Sequence, residues 1–134
     1  MSYTLTPLDD GHILLFTMNS DFDTPADMPK YLKECYDLVD SGPDQIVIIT
    51  DTTGAPPKGI NDLIQGANSI RTPEARRINE HPHVIKSLSV VDNRLVNLAV
   101  KGLNSAAFGF YEVAIFETKE EALSHARAVL AGEV

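Results

Sequence analysis

Residues 45–51 read Gln45-Ile46-Val47-Ile48-Ile49-Thr50-Asp51. The four apolar residues Ile46 to Ile49 are all β-branched and show no alternation with polar residues. A strand of this kind is apolar on both faces and has to be covered on both. The run therefore predicts a central strand held between helical layers. It stops at Asp51-Thr52-Thr53-Gly54-Ala55-Pro56-Pro57, a loop rich in chain breakers.

Upstream, Tyr3 and Leu5 alternate with Thr4 and Thr6, which predicts a half-buried strand. Asp9-Asp10-Gly11 signals a turn, and residues 12–18 form a second strand, so the chain opens with a hairpin. Thr24-Pro25 resembles a helix start, with Asp27 placed to favour the helix dipole. Pro29 leaves a later start open. Tyr31, Leu32, Cys35, Tyr36 and Val39 then follow helical spacing, and Gly42-Pro43 stops the helix.

Downstream, Ile60, Leu63, Ile64 and Ala67 mark an amphipathic helix, and Thr72-Pro73-Glu74 starts another that ends at His81-Pro82. Residues 84–91 form a strand. Leu95, Leu98, Ala99 and Leu103 share one helical face, and residues 110–116 form a further strand. Thr118-Lys119-Glu120-Glu121 is a capping box opening a C-terminal helix with Ala122, Leu123, Ala126, Val129 and Leu130 on its apolar side. Strands alternating with helices specify the α/β class, with a mainly parallel sheet joined by right-handed crossovers and an antiparallel N-terminal hairpin.

The 134 residues suit a single domain spanning 1–134. With 43% hydrophobic and 22% charged residues, the composition excludes a disordered chain and a collagen-like repeat. The lone Cys35 forms no internal disulfide, and no leader or membrane-spanning run is visible, so a cytoplasmic location is expected. The net charge is −8. Residues 1–70 carry 11 Asp/Glu against 3 Lys/Arg, and residues 71–134 carry 8 against 8. Such acidity disfavours nucleic acid and anionic membranes as partners. Arg71, Arg76 and Arg77 are interleaved with Glu74 and Glu80, the pattern of a solvated helix face.

The element order, the central strand Ile46-Val47-Ile48-Ile49-Thr50-Asp51 and the helix opening Phe116-Glu117-Thr118-Lys119-Glu120-Glu121-Ala122-Leu123 resemble the STAS superfamily. More narrowly, the chain resembles the small free-standing SpoIIAA-like proteins related to anti-sigma-factor antagonists. The resemblance implies a STAS-like α/β fold and a non-enzymatic regulatory or protein-interaction role. In antagonists an Asp-Ser-Ser-Gly-Leu segment is phosphorylated on serine by a partner kinase. Asp51-Thr52-Thr53-Gly54 is similar to that segment, although Ala55-Pro56-Pro57-Lys58 follows it. The resemblance makes Thr52 and Thr53 the phosphorylation candidates. It places partner contact at Asp51, Lys58, Ile60, Leu63 and Ile64.

In open α/β sheets, ligands gather at the carboxyl ends of the strands, which is where Asp51 to Lys58 falls. The bland reading of Asp51, Thr52 and Thr53 is a strand cap and chain turn, because both residue types bond nearby backbone. No nucleophile elbow, Walker loop or dinucleotide fingerprint is present, so neither an enzyme nor a cofactor is expected. His81-Pro82-His83 supplies two histidines, short of the three protein ligands usual at catalytic zinc, and reads as a helix stop. Cys35 sits at a core position. A second functional reading is a small apolar ligand, such as a lipid, held between sheet and helices by Ile60, Leu63, Ile64, Leu98 and Phe108. The hairpin edge also raises the expectation of a homodimer.

Overall fold

The computed structural model describes residues 2–55, 72–90 and 114–133. Within them the chain forms β1 (Tyr3–Leu8), a 3-10 turn (Asp9–Gly11), β2 (Ile13–Met18), α1 (Thr24–Asp40) and β3 (Ile46–Asp51). There follow α2 (Pro73–Asn79), β4 (Val84–Val90), β5 (Ala114–Phe116) and α3 (Lys119–Leu130). The helices expected around 60–67 and 95–103 lie outside the described residues.

β1 pairs antiparallel with β2, and β2 to β5 pair in parallel, in the spatial order β1-β2-β3-β4-β5. The expected mixed α/β sheet is therefore present, with β3 in its middle. Ile46, Val47 and Ile49 are fully buried and Ile48 nearly so. The helices α1 and α2, which join β2 to β3 and β3 to β4, lie on a single face of the sheet. Crossovers of one hand require this when strands succeed one another in one direction. That face holds Leu14, Phe16, Ile46 and Ile48 of the sheet under Tyr31, Leu32, Cys35 and Val39 of α1 and Ala75 and Ile78 of α2. Helix α3 is no crossover. It covers the other face, setting Ala122 and Ala126 against Ile13, Leu15, Val47, Ile49, Leu88 and Val90.

Local sequence explains the helix boundaries. Of the two starts open to α1, the chain takes Thr24 and runs through Pro29. The Asp23 carbonyl accepts from Ala26 N at 3.1 Å and Asp27 N at 2.7 Å. The Asp27 carboxylate in turn accepts from Asp23 N at 2.9 Å. Those bonds fix the first turn before Pro29 is reached. Thr72 and Thr118 each cap a helix by accepting from the amide three residues on, Ala75 N and Glu121 N, both at 3.2 Å. Of the capping box expected at the last helix, the Thr118 half is thus formed. At the start of α1, Tyr31 stacks on Phe16 with ring centroids 3.6 Å apart, and Tyr3 and Phe22 meet Phe16 edge-on.

β1 is an edge strand among the described residues. Asn19 N donates to the Ser2 carbonyl, which continues the register of Tyr3 opposite Met18. Alternation then points the backbone groups of Thr4, Thr6 and Leu8 towards β2 and those of Tyr3, Leu5 and Pro7 outward. Pro7 lacks its amide on the outward side, the placement that blunts an edge against further strand pairing. Among the described residues no helix is long and apolar enough to cross a membrane.

Candidate functional site

The carboxyl end of β3 brings together three of the expected site residues. Asp51 continues β3 between Thr17 of β2 and Val90 of β4. It is the buried charged side chain among the described residues, 7% exposed. Its Oδ1 accepts twice from Thr53, from the amide at 3.0 Å and from the hydroxyl at 2.6 Å. A buried carboxylate is tolerated when such donors replace water.

Thr52 is used differently. Its amide and its hydroxyl both donate to the Val90 carbonyl, at 3.0 Å and 2.9 Å. The residue thus extends the β3–β4 pairing past the last strand residue. Its own carbonyl accepts from Ala55 N at 3.0 Å and closes the turn. Thr52 is half-buried, whereas Thr53 and Gly54 are exposed. Of the two phosphorylation candidates, Thr53 is therefore the one presented to solvent, and Thr52 is the one that holds the sheet.

Gly54 explains why the loop lies where it does. A Cβ built there would stand 2.5 Å from the Met18 carbonyl oxygen at the end of β2. The loop can press onto the neighbouring strand end only because that carbon is missing. The turn is consequently tied to β4 through Thr52 and packed on β2 through Gly54.

The sheet beneath changes character at the same end. On the α1 and α2 face, one row runs Leu5, Phe16, Thr50 and Ser89 across β1 to β4. Apolar residues on the first two strands give way to hydroxyls on β3 and β4. One step back along β4, the Ser87 hydroxyl donates to Asn79 Oδ1 of α2 at 3.1 Å. Thr50 and Ser89 remain half-buried.

The other expected contacts, Lys58, Ile60, Leu63 and Ile64, lie outside the described residues. So do Leu98 and Phe108 of the apolar-ligand reading. Among the described residues no group of three or more His, Cys, Asp or Glu is arranged to hold a metal. Cys35 is fully buried, and burial pushes its thiol up to about 11, as its core spacing leads one to expect.

Two features of this region escape a reading by residue type alone. The Gly54 contact with Met18 and the Thr52 bond to Val90 both depend on which strands flank β3. The Asp51–Thr53 pair has a local signal, since Asp followed two residues later by Thr favours an Asx turn. No known family model matches the chain, and no curated protein matches it significantly.

Proposed function

We propose that this chain is a non-enzymatic regulatory or protein-interaction module of STAS/SpoIIAA-like type. It binds a protein partner through the loop after the central strand and the helix expected to follow it. The observation that supports this reading is the exposed Thr53, held at the end of the buried β3 by a 2.6 Å bond from its hydroxyl to buried Asp51. The loop is preorganised by its ties to β2 and β4, which lowers the entropy a partner has to remove on binding.

The same bond makes the loop responsive to modification. Phosphorylating Thr53 replaces the donated proton with a group of charge ≈ −1.5 to −2 beside the Asp51 carboxylate. Two adjacent anions then repel, and the turn opens. Phosphorylation at Thr52 instead breaks its bond to Val90 at the carboxyl end of the β3–β4 pair.

The test is affinity capture with the wild-type chain and with Thr53→Glu and Ile60→Asp variants, each checked for folding by circular dichroism. A partner retained by the wild type and lost with either folded variant supports the reading. Failure to capture a partner, or capture indifferent to both substitutions, rejects it.

A further inference from the structure

At the opposite, amino end of the parallel strands, two histidines join four elements. The turn between α2 and β4 carries His81-Pro82-His83. His81 Nε2 donates to Asp40 Oδ1 at the end of α1, at 3.1 Å. His83 Nδ1 lies 2.8 Å from the Val39 carbonyl, also on α1. The His83 amide donates to His81 Nδ1 at 3.1 Å. The His83 carbonyl accepts from Ile46 N at 2.8 Å, which connects the turn to the start of β3.

These partners assign the protons. A carbonyl only accepts, so His83 carries its hydrogen on Nδ1, and its bare nitrogen is Nε2. That nitrogen faces Asp44 Oδ1 at 3.6 Å. His81 receives an amide on Nδ1, so its hydrogen is on Nε2, towards Asp40. The two rings thus hold opposite tautomers, with centroids 4.6 Å apart.

We propose that His81 and His83 form a proton-operated clasp, which holds the α2–β4 turn against the end of α1 at neutral pH and loosens it on acidification. Histidine changes charge within the range from pH 5 to 8. A proton added to His83 enters at Nε2, breaks no bond and meets Asp44. A proton added to His81 has to enter at Nδ1, the atom that accepts the His83 amide. That hydrogen bond is then lost, and two N–H groups oppose one another. The second charge also lies one ring away from the first.

The surrounding charges divide unevenly. Asp40 from α1 and Asp44 from the turn before β3 favour the charged rings, but their side chains are 63% and 99% exposed. Solvent therefore screens much of their attraction. The His81 side chain is only 10% exposed. Tyr36 of α1 meets the His81 ring edge-on, and the Arg77 guanidinium of α2 lies over Tyr36 at 4.4 Å, adding a cation to the same cluster. Glu80, next to His81, is paired with Arg76 at 3.5 Å. The net effect of the second proton is loss of the amide bond without a new partner for it.

The test uses the full chain and two measurements. Long-range nitrogen–proton correlation spectra at pH 7.5 should show His81 as the Nε2–H tautomer and His83 as the Nδ1–H tautomer. Amide exchange, corrected for its intrinsic pH dependence, should show protection of the His83 amide falling about tenfold between pH 7.5 and pH 5, the loss of one hydrogen bond. Protection of the Ile48 amide should stay constant over that range. In His81→Gln, which cannot titrate, the His83 amide should lose this pH dependence. Opposite tautomers to those stated, constant protection in the wild type, or the same pH dependence in a folded His81→Gln variant each overturn the proposal. If His81→Gln does not fold, the wild-type tautomers and exchange decide it.

Discussion

Arg127 of α3 grips Asp9 in the turn between β1 and β2, with Nε 3.0 Å from Oδ2 and Nη2 3.4 Å from Oδ1. The pair fastens the last helix to the first turn across 118 residues of sequence. That turn needs the help, because Asp9, Asp10 and Gly11 have φ of 50°, 59° and 89°. Asp is among the few non-glycine residues that visit this left-handed region.

The turn gives a direct stability prediction. Gly11→Ala puts a side chain at φ 89°, with its Cβ 3.4 Å from Pro43 Cδ. It should cost about 1–2 kcal/mol in urea denaturation, the ordinary penalty for a left-handed L-residue. Asp10→Gly should move the midpoint in the opposite direction or leave it unchanged, since glycine relieves strain but loosens the unfolded chain.

Among the described residues, two carboxylates with lowered values contribute to the behaviour in acid. The hydrogen bond from Arg127 holds the Asp9 carboxyl below its usual range, and the bond from the Asp23 amide does the same for Asp27. Both prefer the charged form in the folded state. Their stabilisation is present above about pH 4, the ordinary Asp value, and is lost as pH falls through the lowered folded values. Thermal melts from pH 6 to pH 2 should fall less steeply for Asp9→Asn and Asp27→Asn than for the wild type. Molar salt should erase the Asp9 difference more than the Asp27 difference, because Asp9 faces a mobile cation and Asp27 a fixed amide.

The loop after β3 separates two threonines by experiment. Thr52→Val removes the hydroxyl bond to Val90 and should cost about 0.5–1.5 kcal/mol. Thr53→Ala removes one of the two donors to the buried Asp51 Oδ1, so it should also cost stability and in addition weaken partner capture. Equal effects of the two substitutions on both readouts would contradict the roles assigned here.

Gly54→Ala drives a carbon into the Met18 carbonyl oxygen at 2.5 Å. Backbone on both sides has to move. A loss of about 1–3 kcal/mol is expected by urea denaturation, the usual range for a damaging single substitution. Chemical-shift changes should centre on Met18, Thr52 and Thr53, leaving the His81–His83 turn unaltered.

The fully buried contact residues of α3 are alanines, flanked by half-buried Leu123, Val129 and Leu130. Ala122 and Ala126 are both fully buried against β3 and β4. Ala126→Leu should destabilise the fold by about 1–3 kcal/mol through overpacking. Ala128→Leu, half-buried on the same helix, should cost less in a parallel melt.

Much of this architecture is written in short-range pattern. The unbroken apolar run Ile46–Ile49 requires cover on both faces wherever it is placed. The threonines at 72 and 118 cap helices through amides three residues away, and Asp9-Asp10-Gly11 turns the chain. These effects act over a few residues, so residue type and spacing are enough to foresee them. The bonds from Thr53 to Asp51 belong to this local class as well.

Other features depend on strand order and helix placement. Thr52 finds the Val90 carbonyl 38 residues away because β4 lies beside β3. His81 meets Asp40 across 41 residues because α1 and α2 share one face of the sheet. Gly54 matters because β2 ends beneath it. No residue pattern within any one of these segments specifies its distant partner. Each contact arises once packing of the whole sheet has chosen which strands and helices are neighbours.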